Sequence, residues 1–160
     1  MNAMEPTVYI ETSVIFYYTA RISRDLIVAG HQQITQEWWE TVLPRCEPVV
    51  SPIVLEEIER GDPEEAKKRV AAVQGMAVLD VPAEVRDFAG RYRSALGLPH
   101  AARADAYHLA VTAWHGVDYL VTWNCAHLAA AMVERMLRRI NPALGIATPV
   151  LTTPEGLMEL

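Results

Sequence analysis

Cysteine is scarce: Cys46 and Cys125 are the two in 160 residues, and they stand far apart. They fit no metal or redox spacing, which predicts reduced thiols in a cytoplasmic protein. No apolar run approaches the roughly 20 residues of a membrane helix. Residues 1–6 hold neither the basic nor the apolar segment of a secretory leader, so no membrane association is expected. Glycine-rich phosphate loops are missing in both forms, G-x-G-x-x-G and G-x-x-x-x-G-K, which argues against a nucleotide-binding α/β protein. No Ser–His–Asp or Cys–His nucleophile pattern is present either. A basic surplus is also missing: 14 Lys and Arg face 20 Asp and Glu, a net charge of −6. That excludes coating nucleic acid by bulk electrostatics. It leaves room for an enzyme whose acids bind metal while local arginines hold phosphates.

What is there is an ordinary globular composition, 51% apolar and 21% charged, in a chain of a length suited to one domain, residues 1–160. Residues 7–10 are β-branched and aromatic and read as a buried strand. Residues 48–50, 76–79, 119–121 and 150–151 read as further strands. Between them the periodicity and capping signals predict helices: a short one from Ser13 as cap through Tyr18, and a long one over 22–43 with Leu26, Ile27, Ile34, Trp38 and Val42 as its apolar positions. Ser51-Pro52 opens a helix that stops at Gly61, and Asp62 caps the next, with Glu65 three residues on. Helices over 83–96, around Asp105 and over 126–140 complete the set. Strand–helix alternation of this kind predicts an α/β domain, one parallel sheet of about four to five strands with helices on both faces.

In such a sheet ligands bind outside the carboxyl ends of the strands. Glu11-Thr12-Ser13 directly follows the first strand, and Thr122-Trp123-Asn124 directly follows the strand at 119–121. Glu56 stands four residues before Arg60, the spacing of a surface ion pair. Glu57 instead follows Ile53 and Val54 on an apolar side, with no cation four residues on, and is the better site candidate. Asp105 shares a helix face with Ala101, Ala102 and Leu109. Its plainer reading is an acid favoured near a helix N-terminus by about 0.3–1 kcal/mol, but its apolar neighbours favour a site. Asp118 precedes its strand and reads as a solvated acid at the opposite edge. Carboxylates converging at one edge suit a hard divalent cation, Mg²⁺ or Mn²⁺. His108 and His115, two turns apart, lack zinc-helix spacing, and a structural reading is favoured for them. The same reading is favoured for His127, although it follows Asn124 closely enough to reach a phosphate. The four tryptophans read as packing residues before base-stacking ones.

The segments Tyr9-Ile10-Glu11-Thr12-Ser13, Ser51-Pro52-Ile53-Val54-Leu55-Glu56-Glu57-Ile58, Gly61-Asp62, Ala104-Asp105-Ala106-Tyr107-His108-Leu109-Ala110, Leu120-Val121-Thr122-Trp123-Asn124 and Thr152-Thr153-Pro154-Glu155 occur in that order. In this the chain resembles the PIN-domain ribonucleases, and among them the VapC-like toxins of prokaryotic toxin–antitoxin pairs. The resemblance implies a PIN-like domain with an acidic Mg²⁺ or Mn²⁺ site that hydrolyses RNA phosphodiesters. It also implies neutralisation by a small antitoxin, and frequent dimerisation. Glu11 stands where the family's first-strand Asp usually is, Glu57 matches its helix Glu, Asp105 its central Asp, and Asn124 the place of a fourth Asp. These four are the candidate catalytic and metal residues. Thr12, Ser13, Thr122 and His127 are candidates to contact the substrate phosphate. Glu at 11 adds a methylene, and Asn at 124 keeps an oxygen but loses a charge. The rival expectation is therefore a catalytically inactive PIN-like module that binds RNA or a protein partner.

Overall fold

The computed structural model describes residues 4–97, 103–125, 128 and 131–160. Five parallel strands form its sheet: β1 (Thr7–Ile10), β2 (Glu47–Val50), β3 (Ala77–Val78), β4 (Tyr119–Val121) and β5 (Val150–Thr152), in the spatial order β3-β2-β1-β4-β5. Val8, Tyr9 and Ile10 of the central strand are fully buried. That is the reason for a continuous β-branched and aromatic run, because a parallel strand covered on both faces has no polar side to show.

Around the sheet lie α1 (Thr12–Thr19), α2 (Leu26–Thr41), α3 (Pro52–Ile58), α4 (Pro63–Ala72), α5 (Ala83–Leu96), α6 (Arg103–Trp114) and α7 (Ala131–Ile140). Helix α1 packs against α2, α3 and α4, while α5 packs against α6 and α7. The core joins sheet and helices through Tyr9, Ile10, Trp38, Ile58, Tyr92, Leu109 and Leu120, all fully buried. Each such large apolar side chain contributes about 1.5–3 kcal/mol through burial. The five-stranded α/β architecture matches the fold class expected from the sequence.

Several boundaries differ from expectation, each for a local reason. Helix α2 starts at Leu26, because the Asp25 carboxylate accepts from the backbone N–H groups of Ile27 and Val28 and fixes the cap there. Leu26 and Ile27, expected to face the core, are 87% and 72% exposed. Helix α3 ends at Ile58, three residues short of Gly61, whose φ of +89° turns the chain toward α4. Asp118 does precede β4, but it is more than a solvated acid: it accepts from Thr7 N at 2.9 Å and Thr7 Oγ1 at 3.0 Å, tying the start of β1 to β4. His127 lies outside the described residues, as do four of the first five residues of the helix expected over 126–140.

The register sets up the site. Ile10 is opposite Val121, and Tyr9 is opposite both Val49 and Leu120. The residues that leave β1, β2 and β4, namely Glu11, Ser51 and Thr122, therefore emerge side by side at one edge.

Candidate active site

Glu11 leaves β1 with its backbone N–H still bonded to the carbonyl of Val121 at 3.0 Å. It is also the cap of α1, in place of the expected Ser13: its backbone is extended, and its Oε2 accepts from Ser13 N at 3.1 Å. The longer Glu side chain reaches back over the first turn, where a shorter acid would ordinarily cap. The same oxygen accepts a very short hydrogen bond from Ser13 Oγ and one of 2.7 Å from Thr122 Oγ1. Three donors on one carboxylate oxygen hold a side chain that is only 6% exposed.

Thr122 passes the connection on. Its buried hydroxyl donates to Glu11 and accepts from Asn124 N at 2.9 Å. Asn124 Nδ2 in turn donates to Asp105 Oδ2 at 3.2 Å, joining the loop after β4 to the first turn of α6. Between them Trp123 anchors the loop: its N–H donates to Ser13 Oγ at 2.9 Å and its indole N–H to Thr35 Oγ1 at 2.8 Å. Its ring stacks on His31 with centroids 4.2 Å apart. Trp123 thus packs, as the sequence suggested for the tryptophans.

Glu57 belongs to a second, adjoining network. Its Oε1 accepts from Thr12 Oγ1 at 2.9 Å and from His108 Nε2 at 2.8 Å. His108 Nδ1 meets the Tyr9 hydroxyl at 2.6 Å, and that hydroxyl meets Ser51 Oγ at 2.8 Å. Burial opposes a charge on His108, yet its pKa is raised. The Glu57 hydrogen bond raises it first, and the charges of Glu11, Glu57 and Asp105 add to it. Burial likewise opposes ionisation of Glu57, but the His108 hydrogen bond and charge, with help from Thr12, lower its pKa. Burial, with the Glu11 and Glu57 charges adding, pushes the Tyr9 phenol upward against the Ser51 hydrogen bond, so it stays protonated. All three sequence-predicted acids therefore act on one buried imidazole.

His108 is the participant that sequence reasoning underrated. It is a polar residue with apolar neighbours on a helix buried almost all round, which was the available signal. Tyr9 and Ser51 were missed as polar participants, since each read simply as part of a strand or a cap.

Thr12, Ser13 and Thr122 each give their hydroxyl proton to a carboxylate. They aim the acids. Among the described residues no group of three or more His, Cys, Asp or Glu side chains stands as a ready metal cage. The oxygen donors of Glu11, Asp105 and Asn124 do fit a hard ion such as Mg²⁺, which keeps several waters and takes one or two carboxylates.

No protein-family model matches the sequence, and no curated protein matches it. The fold does have solved counterparts: it is a PIN-like fold. One counterpart is a chain in the crystal structure of VapBC2 from Rickettsia felis bound to a DNA fragment from their promoter. The TM-score is 0.58 at 15% identity, over 91% of this chain and 98% of that one. At that identity the likeness carries the fold and leaves the chemistry to the residues. Among the described residues no helix is long and apolar enough to cross a membrane.

Proposed function

We propose that residues 1–160 form one PIN-like domain that acts as a divalent-metal-dependent endoribonuclease, the toxin half of a toxin–antitoxin pair. The observation that carries this reading is the chain Glu11–Thr122–Asn124–Asp105, hydrogen-bonded throughout, lying beside Glu57 at the carboxyl edge of the sheet. In an α/β fold that edge is where ligands bind.

In this reading Glu11, Asp105 and Asn124 would hold Mg²⁺ or Mn²⁺, with Glu57 acting through a water. Such an ion supplies an activated water and offsets charge on the phosphate. Ser13 and Thr122 hold the Glu11 carboxylate in its aim, and Thr12 does the same for Glu57. His108 keeps Glu57 ionised. Ile22, Leu26 and Ile27, exposed at 58%, 87% and 72%, supply aliphatic surface at the start of α2 for a small protein partner.

The test is cleavage of single-stranded RNA by the purified protein with Mg²⁺ or Mn²⁺, compared with Asp105→Asn. Cleavage should disappear in the variant while its circular dichroism and melting curve stay as in the wild type. Undiminished cleavage by Asp105→Asn would remove Asp105 from the chemistry.

A second reading, an inactive PIN-like module that binds RNA or protein, is favoured by one observation. The acid cluster is shared with a base of the protein's own: His108 Nε2 bonds Glu57 Oε1 at 2.8 Å, and the Glu57 hydrogen bond and the charges of Glu11, Glu57 and Asp105 raise its pKa against burial. It predicts no cleavage under any divalent ion and no Mn²⁺ heat in calorimetry.

A further inference from the structure

Glu57 has a second side. Beyond the acid network it lines a cavity of about 710 Å³ together with Arg60, Arg86, Arg103 and Tyr107, a size within the roughly 300–1,000 Å³ of ligand-binding clefts. The three arginines come from three places in the chain: the turn after α3, the first turn of α5 and the first residue of α6. Arg60 is paired with Glu56 at 2.8 Å, both exposed. Among the described residues neither Arg86 nor Arg103 takes part in an ion pair. Arg103 instead lies 5.8 Å from the centre of the Tyr107 ring. The lining sets three arginines against two carboxylates, Glu56 and Glu57, and in a protein of net charge −6 that surplus is a local reversal of sign. The cavity also reaches Ala104, the neighbour of Asp105.

We infer that this cleft is a binding site for single-stranded RNA, holding the backbone phosphate next to the one placed at the acids while a base lies against Tyr107. The identity of the polyanion rests on the nuclease reading; the positive cleft itself does not. Arginine suits the task because its planar fork bonds a phosphate through two parallel N–H groups and stacks on aromatic faces. Tyrosine offers a face to a base of any sequence. A negatively charged protein that works on RNA needs such a local attraction beside its acids, because its overall field repels the substrate.

The experiment is fluorescence anisotropy of a short labelled single-stranded RNA in EDTA, which separates binding from hydrolysis, across a series of salt concentrations. Arg86→Gln and Arg103→Gln are compared with Arg45→Gln, a charge loss at the opposite edge of the sheet, just before β2. Each cleft variant should bind about tenfold more weakly. Each should also flatten the slope of log K against log salt by about 0.7, the share of one single-strand phosphate contact. Arg45→Gln should change neither. Equal weakening by Arg45→Gln, or no weakening by either cleft variant, overturns the cleft even if Mg²⁺ then restores cleavage. Wild-type binding that depends on Arg86 and Arg103, with no cleavage when Mg²⁺ or Mn²⁺ is added, leaves the cleft standing and removes the nuclease. Displacement of the RNA by oligoglutamate as readily as by unlabelled RNA overturns the assignment to RNA.

Discussion

His108 and Glu57 meet at 2.8 Å across the boundary between α6 and α3, with the imidazole fully buried and the carboxylate side chain 24% exposed. The contact links the helix that carries Asp105 to the helix that carries Glu57. It is also the place where the charge of the candidate site is set. When His108 carries its proton, the imidazolium reduces the repulsion among Glu11, Glu57 and Asp105.

This pair makes stability depend on pH in a definite direction. Glu57 has its pKa lowered from an ordinary 4.5, so its contribution is full above about 4.5 and fades as pH falls through the depressed value. His108 has its pKa raised from an ordinary 6.5, so its contribution is full below about 6.5 and fades as pH rises through the elevated value. The pair therefore stabilises most between about pH 4.5 and 6.5. Urea unfolding in EDTA should show the gap between wild type and His108→Gln widest in that window and narrower by about pH 8. A gap that stays constant with pH would mean the imidazole is neutral throughout.

Thr122 is expected to be as important to stability as a core residue, despite being polar. Its hydroxyl donates to Glu11 and accepts from Asn124 N while wholly buried. Thr122→Val keeps the shape and removes both bonds, leaving a buried carboxylate oxygen one donor short and an N–H with no acceptor. Leaving such groups unsatisfied costs roughly 1–3 kcal/mol. Chemical denaturation should report a loss of about 2 kcal/mol, and a loss below about 0.5 kcal/mol would show that water or Ser13 takes over.

How much of this was legible depended on whether a residue's partner lay near it in the sequence. Strand β1 and strand β4 were readable from their β-branched runs, and the edge at which Glu11 and Asn124 emerge followed from strand direction alone. The start of α2 was misjudged because Ile22 continues the apolar spacing upstream. The Asp25 cap, two hydrogen bonds from one carboxylate, outweighed that pattern. His108 was underrated because α6 is buried almost all round, and periodicity reports a polar face only where one exists. The cleft of Arg60, Arg86 and Arg103 left no trace in the sequence. These three arginines stand far apart along the chain and are brought together by folding.

Arg69 should prove the main strut behind Glu57. It is buried, with Nε donating to the carbonyl of Ile58 at 2.8 Å and Nη2 to that of Arg60 at 2.5 Å. Its guanidinium also lies 4.1 Å from the centre of the Phe16 ring. One side chain of α4 thus satisfies carbonyls at the end of α3 and clamps α1, with its charge at the negative end of α3. Arg69→Met preserves the aliphatic stem but abandons those carbonyls, and about 2 kcal/mol of stability should be lost. Arg69→Lys should recover only part of it, since an ammonium cannot reproduce the two-pronged fork. Full recovery in the lysine variant would show that charge alone holds the end of α3.

Asn124→Asp tests the charge balance of the site directly. Asn124 Nδ2 now donates to Asp105 Oδ2 at 3.2 Å; an ionised Asp in its place sets two carboxylates against each other and loses that bond. Two unit charges about 4 Å apart interact by about 4 kcal/mol at an effective dielectric near 20, part of which is relieved by side-chain rotation and by protonation. In EDTA the variant should therefore be less stable than the wild type by about 1–2 kcal/mol, with the deficit shrinking as pH falls and one carboxyl takes up a proton. A divalent cation gains from the same change, because the added charge attracts it while it screens the two acids from each other. Isothermal calorimetry should show Mn²⁺ binding about tenfold or more tighter than in the wild type, and saturating Mn²⁺ should reverse the stability deficit. If the variant is destabilised in EDTA but Mn²⁺ neither binds more tightly nor restores it, Asn124 and Asp105 do not share a cation, and the open metal site proposed between them has to be abandoned.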